Sequence, residues 1–220
     1  MSLEITGAII VGLAGLLIAT PFLVRKRLAV REKAAAWKLG FDFRSRVPED
    51  FFRHLTGFDL LQAAMDDDIF NIMFRTDRDR RFAVFTVESG GPGRSTITRT
   101  VRVFFAASPA FHLPHFKLVP KNLSHRIERE PDINFPDNPT FSRRFLLQGE
   151  PEEQVRALFH PRLLEYLVGR RELEMEGRDN CLIVIDHRAS LTRLVREGLE
   201  IVALVGGQEG FPLDPEQRRA

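Results

Sequence analysis

Residues 69–106 read IFNIMFRTDRDRRFAVFTVESGGPGRSTITRTVRVFFA, and this stretch decides the fold. Three runs within it, 69–76, 81–88 and 96–106, are rich in the β-branched and aromatic residues that favour β-strands, and polar residues alternate with apolar ones in the last of them. A charged tetrapeptide separates the first two runs, and the glycine-rich loop 89–95 separates the last two. Short connections join antiparallel neighbours, so the stretch predicts a three-strand antiparallel meander.

The middle run, 81–88, is apolar on both faces. One face carries Phe82, Val84 and Thr86, and the other carries Ala83, Phe85 and Val87. A strand of this kind is expected at the centre of a sheet that is covered on both sides. The loop that follows, 89–95, lacks the Lys-Ser/Thr pair of a phosphate-binding loop and leads into a strand instead of a helix, which favours a hairpin connection.

The rest of the chain adds helices and further strands around this meander. The pattern predicts helices at 25–39, 48–65 (one short or two very short), 151–158, 161–168 and 190–205. It predicts strands at 116–119 and 141–148, and a hairpin of 172–175 with 181–186. The expected fold class is α+β: an N-terminal transmembrane helix, then an antiparallel-sheet domain with a C-terminal helix packed on it.

The predicted transmembrane helix is Ile5–Val24, which contains no charged residue. Twenty helical residues rise roughly 30 Å, the thickness of the hydrocarbon core of a bilayer. A cleaved signal peptide is a poorer explanation, because residues 1–4 contain no Lys or Arg. A buried core helix also fits poorly with an apolar run of this length that is basic on one flank only.

A basic neck follows the apolar run. Between Arg25 and Arg46 lie eight Lys/Arg against Glu32 and Asp42, and the positive-inside rule therefore places the N-terminus outside and the C-terminal domain in the cytoplasm. The lone Cys181 suits a reducing compartment. We expect the first five basic residues to lie at the membrane surface, against anionic lipid: Arg25, Lys26, Arg27, Arg31 and Lys33.

The expected organisation is a tail and transmembrane helix at 1–24, the neck at 25–46, a cytoplasmic domain at 47–207 and a flexible tail at 208–220. Gly12 and Gly15 lie on a face of small residues, which favours close helix approach and so a homo-oligomer or a protein partner in the membrane. The alternative is that glycine is simply common in such helices.

The location of the charge argues against nucleic-acid binding. The sequence pI is about 9.0, but residues 47–220 hold 24 basic and 27 acidic residues, so the basic excess belongs to the neck. A domain without basic excess lacks the electrostatic attraction that phosphate backbones require.

No catalytic, cofactor-binding or metal-binding residue is assigned from the sequence. His112 and His115 flank Pro114 on a connection, so their rings need not converge. Cys181 and His187 lie six residues apart along a strand, roughly 20 Å, which is too far for a nucleophile and its base. The acidic run 66–68 is typical of a solvated turn. An enzymatic activity is therefore disfavoured.

Several blocks resemble a family of uncharacterised bacterial membrane-anchored proteins. The blocks are LPHFKLVP at 113–120, DINF at 132–135, PTFSRRFLLQGE at 139–150, VRALF at 155–159 and the hairpin up to Ile185. The resemblance implies a single-pass protein of the bacterial inner membrane. It implies no activity, because the family supplies no catalytic residues.

Two functions fit these features. The first is a non-catalytic, membrane-anchored cytoplasmic domain that binds another protein or holds a complex at the membrane. The alternative is a domain that senses a lipid or small ligand at the inner membrane, and an unrecognised enzyme is the least favoured.

Overall fold

The computed structural model describes residues 33–44, 49–62, 69–89, 99–122, 131–170 and 172–206. The predicted transmembrane helix at 5–24 and the predicted tail at 208–220 lie outside these ranges. Within them, no helix combines the length and the apolar character that crossing a membrane requires.

The described chain forms eight strands and seven helices. The strands are β1 (Asp42–Arg44), β2 (Ile69–Asp77), β3 (Arg80–Ser89), β4 (Arg99–Ala107), β5 (Leu113–Pro120), β6 (Phe145–Glu150), β7 (Leu173–Asp179) and β8 (Cys181–Asp186). The helices are α1 (33–38), α2 (Glu49–Leu55), α3 (Asp59–Gln62), α4 (Pro139–Arg144), α5 (Glu152–Leu158), α6 (Pro161–Val168) and α7 (Leu191–Val205).

All eight strands join one antiparallel sheet in the order β1-β2-β3-β4-β8-β7-β5-β6. This confirms the predicted α+β class, and the meander β2-β3-β4 is present as expected. The next strand in the chain, β5, does not pair with β4. It forms, with β6, the edge of the sheet opposite β1, and the β7-β8 hairpin lies between β4 and β5. Asp179 has a positive φ of 53° at the tight turn of that hairpin.

Helices cover both faces of the sheet, so it separates two hydrophobic cores. Adjacent residues of β4 enter different cores: Phe104 packs with α7 on one face, and Phe105 packs with α2 on the other. The C-terminal helix α7 begins after Ser190, whose hydroxyl accepts a hydrogen bond from Arg193 N at 3.3 Å. It lies directly on the sheet at Gly198.

The predicted strand at 141–148 is wrong in its first half. Helix α4 occupies Pro139–Arg144, and β6 starts only at Phe145. Asn138 caps the helix by accepting from Phe141 N at 3.1 Å, and Pro139 suits the first helical turn. Phe141 and Phe145 are both buried, and a spacing of four residues satisfies one face of a helix as well as one face of a strand, which misled the prediction.

The second half of the predicted neck is part of the folded domain. Ala36, Leu39 and Phe41 are buried in the core, and β1 pairs with β2. Gly40, with a φ of 73°, ends α1 and lets the chain turn into β1. The folded domain therefore includes residues 33–44, ahead of the boundary expected at residue 47.

Candidate functional site

An open groove of about 560 Å³ lies between α2 and the sheet. Its floor comes from one row of strand partners, because Phe74 of β2 pairs with Ala83 of β3, which pairs in turn with Phe105 of β4. The next row places Ala107 beside them. The two alanines leave room where larger side chains would fill the space, so the strand register itself creates the groove.

Aromatic rings make one wall of this groove rigid. Phe51 of α2 meets three rings edge to face, with centroid distances of 5.0 Å to Phe74, 5.6 Å to Phe85 and 5.1 Å to Phe105. Such pairs stabilise by about 0.5–1.5 kcal/mol each beyond the area that they bury. The apolar surface is thus fixed in place, with Phe51 itself only 7% exposed.

The rim of the groove is polar and carries charge. His54 at the end of α2 and Arg81 at the start of β3 border it, and the single lining carboxylate is Asp79, among the described residues. Asn180 and Thr76 add neutral hydrogen-bonding groups. Seven of the fourteen lining residues that the structure describes are polar, and an apolar floor with a polar rim can hold an amphipathic small molecule.

A buried carboxylate of β7 holds α3 against the face of the sheet that carries the groove, in a contact that we call the clasp. Glu176 of β7 is 0% exposed and accepts hydrogen bonds from Asp59 N at 3.0 Å and Leu60 N at 2.8 Å. His115 Nε2 lies 3.4 Å from the same carboxylate. Burial raises the pKa of the Glu176 carboxyl, and the bonds from Leu60 and Asp59 oppose that rise.

The clasp contains a potential metal-ligand set. Ligand atoms of Asp59, His115 and Glu176 lie within 4.8 Å of one another. However, Lys117 Nζ lies 2.6 Å from Asp59 Oδ2, and its positive charge opposes a cation at that position. Both oxygens of Glu176 already accept backbone bonds. We therefore assign the cluster a structural role, which is to hold α3 against the sheet.

The histidine pair considered in the sequence does not form a site of its own. His112 is exposed, whereas His115 contacts the clasp. Sequence reasoning missed that contact because Asp59 and Glu176 are 117 residues apart in the chain. The sequence of β7 gave no signal, because Leu173-Glu174-Met175-Glu176 alternates in the way that is typical of a strand with one solvated face.

Cys181 is the first residue of β8 and His187 follows its last, so the strand holds them apart as their spacing predicted. The Cys181 thiol donates to Asn180 Oδ1 at 3.2 Å, and burial raises its pKa to about 11. His187 Nε2 lies 2.8 Å from Glu174 Oε1 instead. Cys181 therefore has the properties of a small core residue and not of an activated nucleophile.

A charged network joins α6 to α7. Tyr166 donates its hydroxyl proton to Glu200 at 2.5 Å, while the Arg170 guanidinium stacks 3.5 Å from the Tyr166 ring centroid. Arg170 Nε also lies 3.6 Å from Glu197 Oε1. Arg193, one helical turn before Glu197 in α7, places its Nε 3.0 Å from the same oxygen. The side chains neutralise one another, so the network serves helix packing.

Of the predicted membrane-surface residues, Lys33 alone falls within the described ranges. It is exposed, and its Nζ lies 5.9 Å from the Phe43 ring centroid. Arg25, Lys26, Arg27 and Arg31 lie outside the described residues, as do Gly12 and Gly15.

Comparison with known proteins gives a likeness in fold. No family model matches the sequence, and no curated protein matches it either. A solved structure, the crystal structure of the mycobacterial trehalose monomycolate transport factor A, TtfA, superposes with a TM-score of 0.55 at 17% identity. The match covers 84% of this chain and 98% of that chain. At this identity the likeness shows that the two chains share a fold.

Proposed function

We propose that this chain is a membrane-anchored, non-catalytic domain that binds an amphipathic lipid in its groove and takes part in the transport of that lipid. The observation that carries the proposal is the groove itself, with apolar residues Phe74, Ala83 and Phe105 as its floor and Arg81 and His54 at its rim. An acyl chain suits the floor, and a polar or anionic head group suits the rim.

The likeness in fold also supports a role in the transport of a lipid. The similar structure is that of a factor named for the transport of trehalose monomycolate, a lipid with a sugar head group. The groove of the present chain would accept a molecule of that general build, an apolar tail joined to a polar head.

The sequence supports a place at the membrane. The apolar run Ile5–Val24 and the basic residues that follow it are typical of a single-pass protein with its domain in the cytoplasm. The resemblance to bacterial membrane-anchored proteins favours the inner membrane. A domain tethered there meets lipid at high local concentration, which offsets a modest affinity of an open groove.

Two potentially reactive side chains on the sheet are compatible with the proposed non-catalytic role. Cys181, on the strand next to β4, has a raised thiol pKa, and the clasp at Glu176 uses its carboxylate to hold α3. Neither arrangement provides an activated nucleophile or a free general base.

The test compares lipids that co-purify with the full chain and two variants. Ala107→Leu adds volume inside the groove, and Ala157→Leu makes the same change on the exposed surface of α5. Each protein is purified from membranes in detergent and washed to remove lipid from the micelle, and the lipid that stays bound is quantified by mass spectrometry. We expect the bound lipid to fall several-fold in Ala107→Leu and not in Ala157→Leu.

Equal lipid in all three proteins, with equal thermal unfolding, would overturn the groove as the lipid site. The protein-interaction role expected from the sequence predicts a different result. In that case a protein would co-purify with the chain in constant amount, whichever of Ala107 and Ala157 is changed.

A further inference from the structure

Trp37 is the single tryptophan of the sequence, and its side chain is 80% exposed. Among the described residues it is the one large hydrophobic side chain that is left exposed. Its chain neighbours Ala36 and Leu39 face the core, so the orientation of α1 is fixed and Trp37 is held outward. One exposed apolar side chain is ordinary on a protein surface, so the case for a contact here rests on the neighbours of Trp37 and on its place in the chain.

Two lysines accompany Trp37. Lys33 precedes it by four residues and therefore lies on the same side of α1, and Lys38 follows it directly. Both side chains are exposed. An indole ring flanked by lysine ammonium groups is the combination found where helices lie at the head groups of a membrane, because the ring is apolar with one polar N–H.

The position of Trp37 along the chain fits a membrane contact. Eight residues, 25–32, lie between Val24, the end of the predicted transmembrane helix, and Lys33, so the two are nine residue steps apart. Nine residues reach at most about 30 Å when extended and roughly 14 Å when helical. The connection is thus short enough to let Trp37 reach the membrane surface.

We propose that Trp37, Lys33 and Lys38 form a second membrane contact, in which the indole ring enters the head-group layer of an anionic bilayer. The contact holds the β1 edge of the sheet towards the membrane and limits rotation of the domain about its anchor. The lysine charges select an anionic lipid surface as the occupant. The inference rests on the membrane anchoring in the proposed function and adds an orientation to it.

The test uses the full chain reconstituted in lipid nanodiscs, with Trp37 as the fluorescent reporter. We expect its emission to shift to shorter wavelength, and brominated lipid to quench it, in discs that contain phosphatidylglycerol. In phosphatidylcholine discs, and at high salt, both effects should weaken because the lysines lose their anionic partners. Lys33→Glu/Lys38→Glu should reduce the quenching several-fold in anionic discs.

The control moves the reporter to the other edge of the sheet. In Trp37→Phe/Ala157→Trp the single tryptophan lies on exposed α5, which packs on β5 and β6. Those strands are up to seven strand spacings from β1, or roughly 30 Å. Brominated lipid should leave this tryptophan unquenched.

Two results would overturn this inference and leave the proposed function standing. In the first, the chain enters the discs but Trp37 emits as it does in water. In the second, the emission of Trp37 shifts without quenching by lipid, and the shift grows with protein concentration. The second would mean that another copy of the chain covers Trp37. A chain that fails to enter discs at all would overturn the anchoring in the proposed function and this inference with it.

Discussion

Gly198 allows α7 to lie directly on the sheet, and Gly198→Ala tests that packing. A Cβ at this position would lie 2.3 Å from Phe104 Cδ1 and 2.4 Å from Cγ, well below the 3.0 Å that real Cβ atoms respect. The Phe104 ring is 0% exposed, so it has no open space into which to turn. Either the helix must move away from β4 or the ring must leave its rotamer.

The expected cost follows from two opposing effects. Overpacking of a filled core costs about 1–3 kcal/mol, and a contact this short lies at the upper end of that range. Replacing a helical glycine by alanine returns up to about 1 kcal/mol of helix propensity. We therefore expect the free energy of unfolding to fall by about 2 kcal/mol, measured by urea unfolding of the full chain in detergent, followed by circular dichroism.

Gly169→Ala is the matched control. The Cβ it adds meets its nearest atom, Tyr166 O, at 3.6 Å, an ordinary contact, and its φ is −72°. This variant should be neutral or slightly stabilised. Combining Gly198→Ala with Phe104→Leu should destabilise less than the sum of the two changes, since the smaller side chain removes the contact. A Gly198→Ala protein as stable as Gly169→Ala would refute the close packing of α7.

Three further predictions concern single side chains. Cys181, with a thiol pKa of about 11, should be about 0.1% thiolate at pH 8. Labelling by iodoacetamide, measured by mass spectrometry, should therefore be slow at pH 8 and become about tenfold faster per pH unit up to pH 11. Fast labelling of the folded protein at pH 8 would contradict the burial of Cys181. Ser190→Ala removes the cap of α7 and should cost about 1 kcal/mol in urea unfolding, whereas Ser190→Asp should retain most of it; equal losses would exclude capping. Burial raises the folded pKa of Glu176 above 4.5, so its contribution to stability is present below pH 4.5 and is lost as pH rises through the folded pKa. The stability of the wild type should therefore fall, relative to Glu176→Gln, as pH rises from 4.5 towards neutrality, and parallel curves would show that the carboxyl is not desolvated.

The sequence predicted the elements whose pattern is local. The apolar character of both faces of 81–88 indicated a central strand, and β3 has residues 82–87 buried between two cores. The spacing of apolar residues after Ser190 indicated α7, and Gly206 ends it. In each case the hydrophobic period of a short segment determines its structure.

Features that depend on distant residues were not predictable in this way. The pairing of β4 with β8 joins segments that no turn connects, and the Glu176 clasp depends on α3 arriving from the other end of the chain. The groove likewise depends on strand register, which places Ala83 next to Phe74 and Phe105. The helix α4 was missed because its aromatic spacing also fits a strand.

The central claim is that lipid enters the groove between α2 and the sheet. Its most direct test is photo-crosslinking of the full chain in vesicles that contain a phospholipid with a diazirine in its acyl chain, followed by mapping of the modified peptides. We predict modified residues in two places, the apolar run 5–24 and the groove around Phe51, Phe74 and Phe105. Modification confined to 5–24, with the groove peptides unmodified, would contradict lipid binding by the domain.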